Sequence, residues 1–267
     1  MTAREIAAEI DRLAPEALSK RLIREHSEYD NTGLLLDPEA GEISRVLVAL
    51  DADREVAAEA IARGCGMILS HHPVIWRGVR ALNAQDGEQR VLLDLIRAGI
   101  AVYSAHLSLD AAKGGINETL ARAIGLEDPK PLVDLDGGAG LIFAGRFAGN
   151  FRELCEKICG VTGSFARAAR YAEEPLFVAV CNGGGADVET MIRARQAGCN
   201  TLVSGDAKHH AFVWAKNNGF NLVDAGHFET EQFYLEDLTR TLNQRCAGVT
   251  FLRSGQTAPY DIIGGKL

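Results

Sequence analysis

Apolar residues along the chain fall into two alternating rhythms. Short runs rich in Val, Ile and Leu, bounded by turn residues, read as strands: SRVLVALDA (44–52), CGMILS (65–70) and IAVYSAH (100–106). Between them, DREVAAEAIARG (53–64) and EQRVLLDLIRAG (88–99) place apolar residues at helical spacing, and Gly64 and Gly99 stand where helices end. The N-terminal MTAREIAAEIDRLAPEALSK reads as amphipathic helix. The segment PKPLVDLDGGAGLIFAGRFAG (129–149) is rich in Pro and Gly, breaks the rhythm, and is expected to connect to the first strand of a second half.

The second half repeats the alternation. EPLFVAVCNGG (174–184), CNTLVS (199–204) and FNLVDAGH (220–227) read as strands, with ADVETMIRARQAG (186–198) and HHAFVWAKNNG (209–219) as the helices between them. Laid side by side without a gap, GCGMILS (64–70) falls on GCNTLVS (198–204). With one inserted residue, AGIAVYSAHLSLD (98–110) falls on NGFNLVDAGHFETE (218–231), so His106 matches His227 and Asp110 matches Glu231. The expected fold is α/β, with two pseudo-symmetric lobes of βα repeats and helices packed on mixed, largely parallel sheets. Lobe 1 is expected over residues 1–130 and lobe 2 over 131–267, with no inserted third domain.

Composition narrows the function. A net charge of −8 argues against a general affinity for nucleic acid, which is gained by neutralising phosphates with Lys and Arg. The apolar runs are strand-sized, far short of the ~20 residues of a membrane span. The charged N-terminal stretch has no signal-peptide character, so a cytoplasmic protein is expected. The six cysteines lack CxxC spacing and read as reduced thiols, mostly buried, which argues against a thiolate zinc site.

Candidate chemistry collects at one edge. Ligands of open α/β sheets gather beyond the carboxyl ends of parallel strands, and His71, His72, His106, Asp110, His227 and Glu231 all fall at such ends. His209 or His210 joins them, whereas His26 lies apart. Each half offers a histidine followed four residues later by a carboxylate, a spacing that puts both on one helical face. Imidazoles with carboxylates and no thiolates suit zinc, iron, manganese or nickel in a reactive rather than a purely structural site. The donors are too many for one open ion and suit two, about 3.5 to 4 Å apart, sharing a hydroxide; at the strand end turned by Pro73, one of the paired histidines serves each ion.

Other stretches carry weaker signals. CNGGGAD (181–187) lacks the Lys-Ser/Thr of a P-loop and reads as a turn with Asp187 near a helix start. KGGINETLARAIG (113–125) reads as a turn and a helix capped at or near Asn117, with Lys113 a possible anion contact. Trp76 and Trp214 read as core or interface anchors. Ser70 and Ser204 have a histidine nearby but no nucleophile elbow.

Taken in order, SEYDNTGLLL, SHHP, YSAHLSLDAAKGGINETLA, CNGGG, SGDAKHH and DAGHFETE resemble the Nif-three-like dinuclear metal-centre family, many of whose bacterial members carry the name GTP cyclohydrolase 1 type 2 homologue. The resemblance covers nearly the whole chain. It implies two divalent ions per chain, with ligands His71, His72, Asp110, His227 and Glu231 and Glu231 as the bridge. His106 becomes a neighbour rather than a principal ligand, and Asp206, His209 and His210 line the cavity or orient ligands. It further implies paired α/β lobes in a homohexamer, a trimer of dimers. Tyr29 stands where the family often has tryptophan, and HLSLD replaces the commoner Thr-Asn form; both leave the ligand positions intact. The expected activity is metal-dependent hydrolysis of a small molecule, of cyclohydrolase or phosphoesterase type, with His106 or His209 moving a proton. The alternative is a non-catalytic metal-binding or regulatory assembly.

Overall fold

The structure is a computed structural model that describes residues 1–26, 28–39 and 41–263. Helices α1 (Ala3–Leu13) and α2 (Glu16–His26) lead to strand β1 (Gly33–Leu36). The first alternation runs β2 (Arg45–Ala49), α3 (Arg54–Ala62), β3 (Met67–Ser70), α4 (Gly87–Ala98) and β4 (Ala101–Ser104), then α5 (Leu107–Ala111) and α6 (Ile116–Ala123). The middle segment forms two strands rather than the one expected, a hairpin of β5 (Leu126–Asp134) and β6 (Gly140–Phe147), followed by α7 (Phe151–Thr162) and β7 (Arg167–Ala169). The second alternation is β8 (Phe177–Val180), α8 (Val188–Gln196), β9 (Thr201–Ser204), α9 (His209–Asn218) and β10 (Asn221–Asp224), followed by α10 (His227–Gln232), α11 (Leu235–Arg245) and β11 (Thr250–Arg253). Among the described residues, no helix is long and apolar enough to cross a membrane.

Two mixed sheets result. The first has the order β1-β4-β3-β2-β11 and the second β5-β6-β8-β9-β10-β7, and five of the nine pairings are parallel. In each, three consecutive strands of the alternation lie side by side in parallel, and the strand that precedes them in sequence, β1 or β7, pairs antiparallel with the third. Val46 and Val48 of β2 join the core on one face, while Leu47 and Ala49 join that on the other. Burial on both faces explains the unbroken apolar runs of the central strands.

The two halves of the sequence are not coextensive with the two sheets. After α5, helix α6 leaves the first sheet and packs Leu120 and Ile124 against Phe143, Val178 and Val180 of the second. After α10, helix α11 makes the reverse move, burying Leu235, Leu238 and Leu242 with Val46, Val48 and Phe251, and β11 pairs in parallel with β2. Each half therefore gives its last helix to the other half's sheet. A division at 130/131 runs through β5, and α11 and β11 belong to the first sheet. The exchange draws α5 and α10, with the histidines at their starts, into the seam between the sheets.

Candidate metal centre

His71 and His72 follow β3 directly, and their N–H groups continue the ladder by donating to Ala49 and Leu50 carbonyls at 3.1 and 2.8 Å. Opposite them, β10 ends at Asp224, and α10 begins with His227 and carries Glu231 one turn on. Asp110 lies on α5, one turn beyond His106. The paired histidines thus have their explanation: the strand end turns them toward a seam that also receives carboxylates from α5 and α10.

The four imidazoles are oriented alike. Nδ1 of His71 donates to the Ala105 carbonyl at 2.8 Å, that of His72 to Asp51 at 2.8 Å, that of His106 to Asp30 at 2.9 Å and that of His227 to Asp206 at 2.7 Å. An acceptor on Nδ1 fixes its proton there and leaves Nε2 as the free donor atom, the usual arrangement of a histidine that ligates metal. The inner atoms are close: His72 Nε2 lies 3.2 Å from His227 Nε2, and Glu231 Oε1 lies 3.3 Å from His227 Nε2 and 3.6 Å from His71 Nε2. Glu231 Oε2 is 3.2 Å from His72 Nε2, and Asp110 Oδ1 is 3.7 Å from His71 Nε2.

Two triads with donor atoms within 4.8 Å of one another share Glu231, one completed by His72 and His227, the other by His71 and Asp110. A third group joins His71, His72 and His106. His71 Nε2 and Glu231 Oε2 are buried without a hydrogen bond, a state that costs free energy unless something else is bound there. The donor set suits a divalent ion.

Electrostatics point the same way. Burial pushes the Asp110 carboxyl up against the opposing charges of His71 and His106. In Glu231 burial acts in the same sense, but the charge of His71 and the contacts of His227 and His72 outweigh it and hold the group well below the usual carboxylate range. Burial works to lower the imidazoles, yet Asp51 and Glu231 push His72 up to about 10, and Glu231 with Asp206 pushes His227 up to about 9. The buried carboxylates demand cations, and in the ion-free chain the imidazoles supply them as protons.

Several supports come from residues that sequence reading passed over. Asn182, in the stretch read as a plain turn, donates from Nδ2 to Asp110 Oδ1 at 2.7 Å and to Glu231 Oε1 at 3.1 Å. The cap of α6 is Gly115, two residues before Asn117; Asn117 itself is buried, and its Oδ1 accepts from the Asn182 N–H at 2.8 Å. At Gly183, φ is +58° and a Cβ would stand 2.1 Å from Glu231 Oε1, so only glycine lets the backbone pass so close to the carboxylate. Asp51 ends the β2 run at the same carboxyl edge as the histidines, a position that marked it as readable. Asp30 is held by Ser19 at 2.5 Å and Thr32 at 2.6 Å, so the DNTGLLL stretch serves His106.

Several expectations are corrected. The internal symmetry breaks at Nε2: His106 and His227 each give Nδ1 to an aspartate, Asp30 and Asp206, but only His227 brings Nε2 close to the carboxylate four residues on, 3.3 Å from Glu231. His209 and His210 are exposed at the start of α9 and are absent from the cavity lining, because the helix points them to solvent; Asp206 alone of that motif reaches the site. The cavity, about 970 Å3, is lined by His72, His106, Asp110, His227 and Glu231, with Tyr29 and Trp76 at its wall. Trp76 is 41% exposed and packs edge-on against Tyr29 and His106, so it is a cavity wall and not a core anchor. Lys113 is not among the lining residues. Ser70 shares a hydrogen bond with Ser104 and is structural. All six cysteines are free thiols; Cys65, Cys199 and Cys246 are buried, the others half-buried.

Known proteins resemble this chain in sequence and fold. The GTP cyclohydrolase 1 type 2 homolog of Clostridium perfringens is 30% identical over 246 residues, covering 88% of this chain and 92% of that one. The protein of the same name from Methanocaldococcus jannaschii is 32% identical over 244 residues, 91% of this chain and 95% of its own. The solved structure of reduced HcgD from Methanocaldococcus jannaschii superposes with a TM-score of 0.82 at 29% identity, covering 95% of this chain and 97% of that one. The family description Duf34/NIF3 (NGG1p interacting factor 3) matches residues 1–259, and the chain belongs to this family.

Proposed function

We propose that this protein is a dinuclear metal-dependent hydrolase of a small molecule. The observation that carries the reading is the Glu231 carboxylate common to two ligand triads on the wall of a solvent-reaching cavity. His72, His227 and Glu231 would hold one ion, and His71, Asp110 and Glu231 the other, with zinc, iron, manganese and nickel all compatible with these donors. Bound there, divalent ions supply Lewis acidity and lower the pKa of water toward neutrality.

The chain's own residues do the rest. His106, steered by Asp30, presents its free Nε2 beside His71 and His72, which supports it as the proton carrier in this reading; His209 is exposed at the start of α9 and has no such support. Asn182 steadies both buried carboxylates, and Tyr29 and Trp76 form part of the cavity wall. The names of the clostridial and archaeal relatives put opening of a GTP purine ring first among reactions to try, with phosphoester cleavage second. A homohexamer, a trimer of dimers, is the assembly proposed on the family resemblance, and light scattering checks it.

One observation favours a second reading, a non-catalytic assembly in which ions clamp the halves together: His71, His72 and Asp110 come from the first half, His227 and Glu231 from the second. Elemental analysis of the purified protein, beside Glu231→Ala and His71→Ala, with GTP and a phosphoester panel assayed on the same samples, separates the two. About two ions per chain, lost in the variants together with a turnover that metal restores, is the expected outcome for the hydrolase. Ions without turnover favour the clamp, and no binding after reconstitution sinks both.

A further inference from the structure

The C-terminal segment after β11 does more than close the first sheet. Ser254 extends the β11–β2 pairing, its N–H donating to the Val48 carbonyl at 2.8 Å. Beyond that point a side chain takes over the ladder: Gln256 Oε1 accepts from the N–H groups of Leu50 and Asp51 at 3.1 and 3.0 Å. Its Nε2 donates to Asp53 Oδ2 at 3.0 Å and stands 3.5 Å from Asp51 Oδ2. The other oxygen of Asp51 is the one that accepts from His72 Nδ1. Glu59 of α3 pins the segment by accepting from Ser254 Oγ at 2.6 Å and from the Gly255 N–H at 3.1 Å. Further on, the Tyr260 hydroxyl donates at 2.6 Å to Glu229, which is buried on α10 two residues from both His227 and Glu231.

We propose that residues 254–260 form a strap beside the metal centre, and that Gln256 is a positioning residue which, through Asp51, fixes His72 and so governs the triad of His72, His227 and Glu231 without governing that of His71, Asp110 and Glu231. The inference rests on the dinuclear reading above. Its selectivity follows from how each imidazole is held. His71 is anchored by a backbone carbonyl, Ala105, that the strap does not touch, and His106 by Asp30, which is fully buried between Ser19 and Thr32. Asp51, by contrast, has a side chain 42% exposed, and without Gln256 on the backbone and amide side it is free to turn away from His72. Partners of this kind orient a ligand, and their removal lowers metal affinity about 10- to 100-fold.

The test is zinc titration of the full chain against a chromogenic chelator, with Gln256→Ala beside the wild type. One zinc weakened about 10- to 100-fold, with the other and the metal-free melting temperature near wild type, is the expected result. Both zincs unchanged, or both weakened together, would overturn the proposal. If Gln256→Ala does not fold, Gln256→Glu keeps the acceptor for the two N–H groups, loses the amide donor, and is expected to give the same selective weakening. Proton NMR of the metal-free protein provides a readout that needs no ion: the hydrogen-bonded Nδ1–H of His72 should be sheltered from exchange in the wild type and lost in the variant, while that of His227, held by Asp206, persists. A His72 signal that survives in the variant sinks the role of Gln256. A wild type that binds no zinc would instead sink the dinuclear reading and leave the NMR comparison to decide this one.

Discussion

Single residues decide how near the backbone comes to the buried carboxylates. Gly183 is the tightest case, since its left-handed φ and the Glu231 oxygen 2.1 Å from where a Cβ would stand both exclude a side chain. The backbone conformation alone costs a non-glycine residue about 1–2 kcal/mol. Gly183→Ala should therefore lower the melting temperature, and by pushing Glu231 aside it should weaken metal binding at both triads rather than one. Titration calorimetry with Mn2+, run beside a thermal melt, checks this, and wild-type affinity in the variant would refute the close approach. His106 carries the opposite lesson. Its spacing to Asp110 is the same as that of His227 to Glu231, and each ring gives Nδ1 to an aspartate, yet only His227 brings Nε2 close to the carboxylate four residues on, so equal spacing in sequence gave unequal roles.

At the scale of elements, the amphipathic helices were legible but their partners were not. The apolar stripe of α11 announces a buried face, and nothing in it names the first sheet; the stripe of α6 is equally silent about the second. The exchange has a measurable consequence. Leu120 and Leu242 are each fully buried, and truncation to alanine should cost about 2–5 kcal/mol. In hydrogen exchange, Leu242→Ala should loosen β2 and β11 of the first sheet, and Leu120→Ala should loosen β6 and β8 of the second. If each substitution loosened the sheet of its own half of the sequence instead, the exchanged packing would be wrong.

At the scale of the whole molecule, the raised imidazoles tie stability to pH. In the ion-free chain His72 and His227 are raised to about 10 and about 9, against about 6.5 when unfolded. Their contribution to stability is fully present below the unfolded value and is lost as pH rises through the folded ones. The metal-free melting temperature should thus fall between pH 7 and pH 10, less steeply in His72→Asn. Ions must displace the same protons, so the stabilisation gained on adding Zn2+ or Mn2+ should grow over that range. Melting curves with and without metal across the pH series test both slopes, and parallel curves would show that the imidazoles do not exchange protons for ions.

The sequence by itself determined the βα alternation, the internal repeat and the strand ends that carry His71, His72, Asp110, His227 and Glu231. These are local matters: burial on both faces writes continuous apolar runs, and the residue just past such a run stands at the ligand edge. Tertiary structure alone decided what lies across the chain from those residues. Asn182 meets Asp110 from 72 positions away and Gln256 meets the Asp51 N–H from 205, while His209, next to a motif that does reach the site, is carried to the surface by the start of α9. No periodicity records a hydrogen bond between distant loops, because each partner's own segment would fold the same way without it. The seam exists only once α6 and α11 have crossed to opposite sheets, and that choice depends on the shape and apolar area of two finished surfaces.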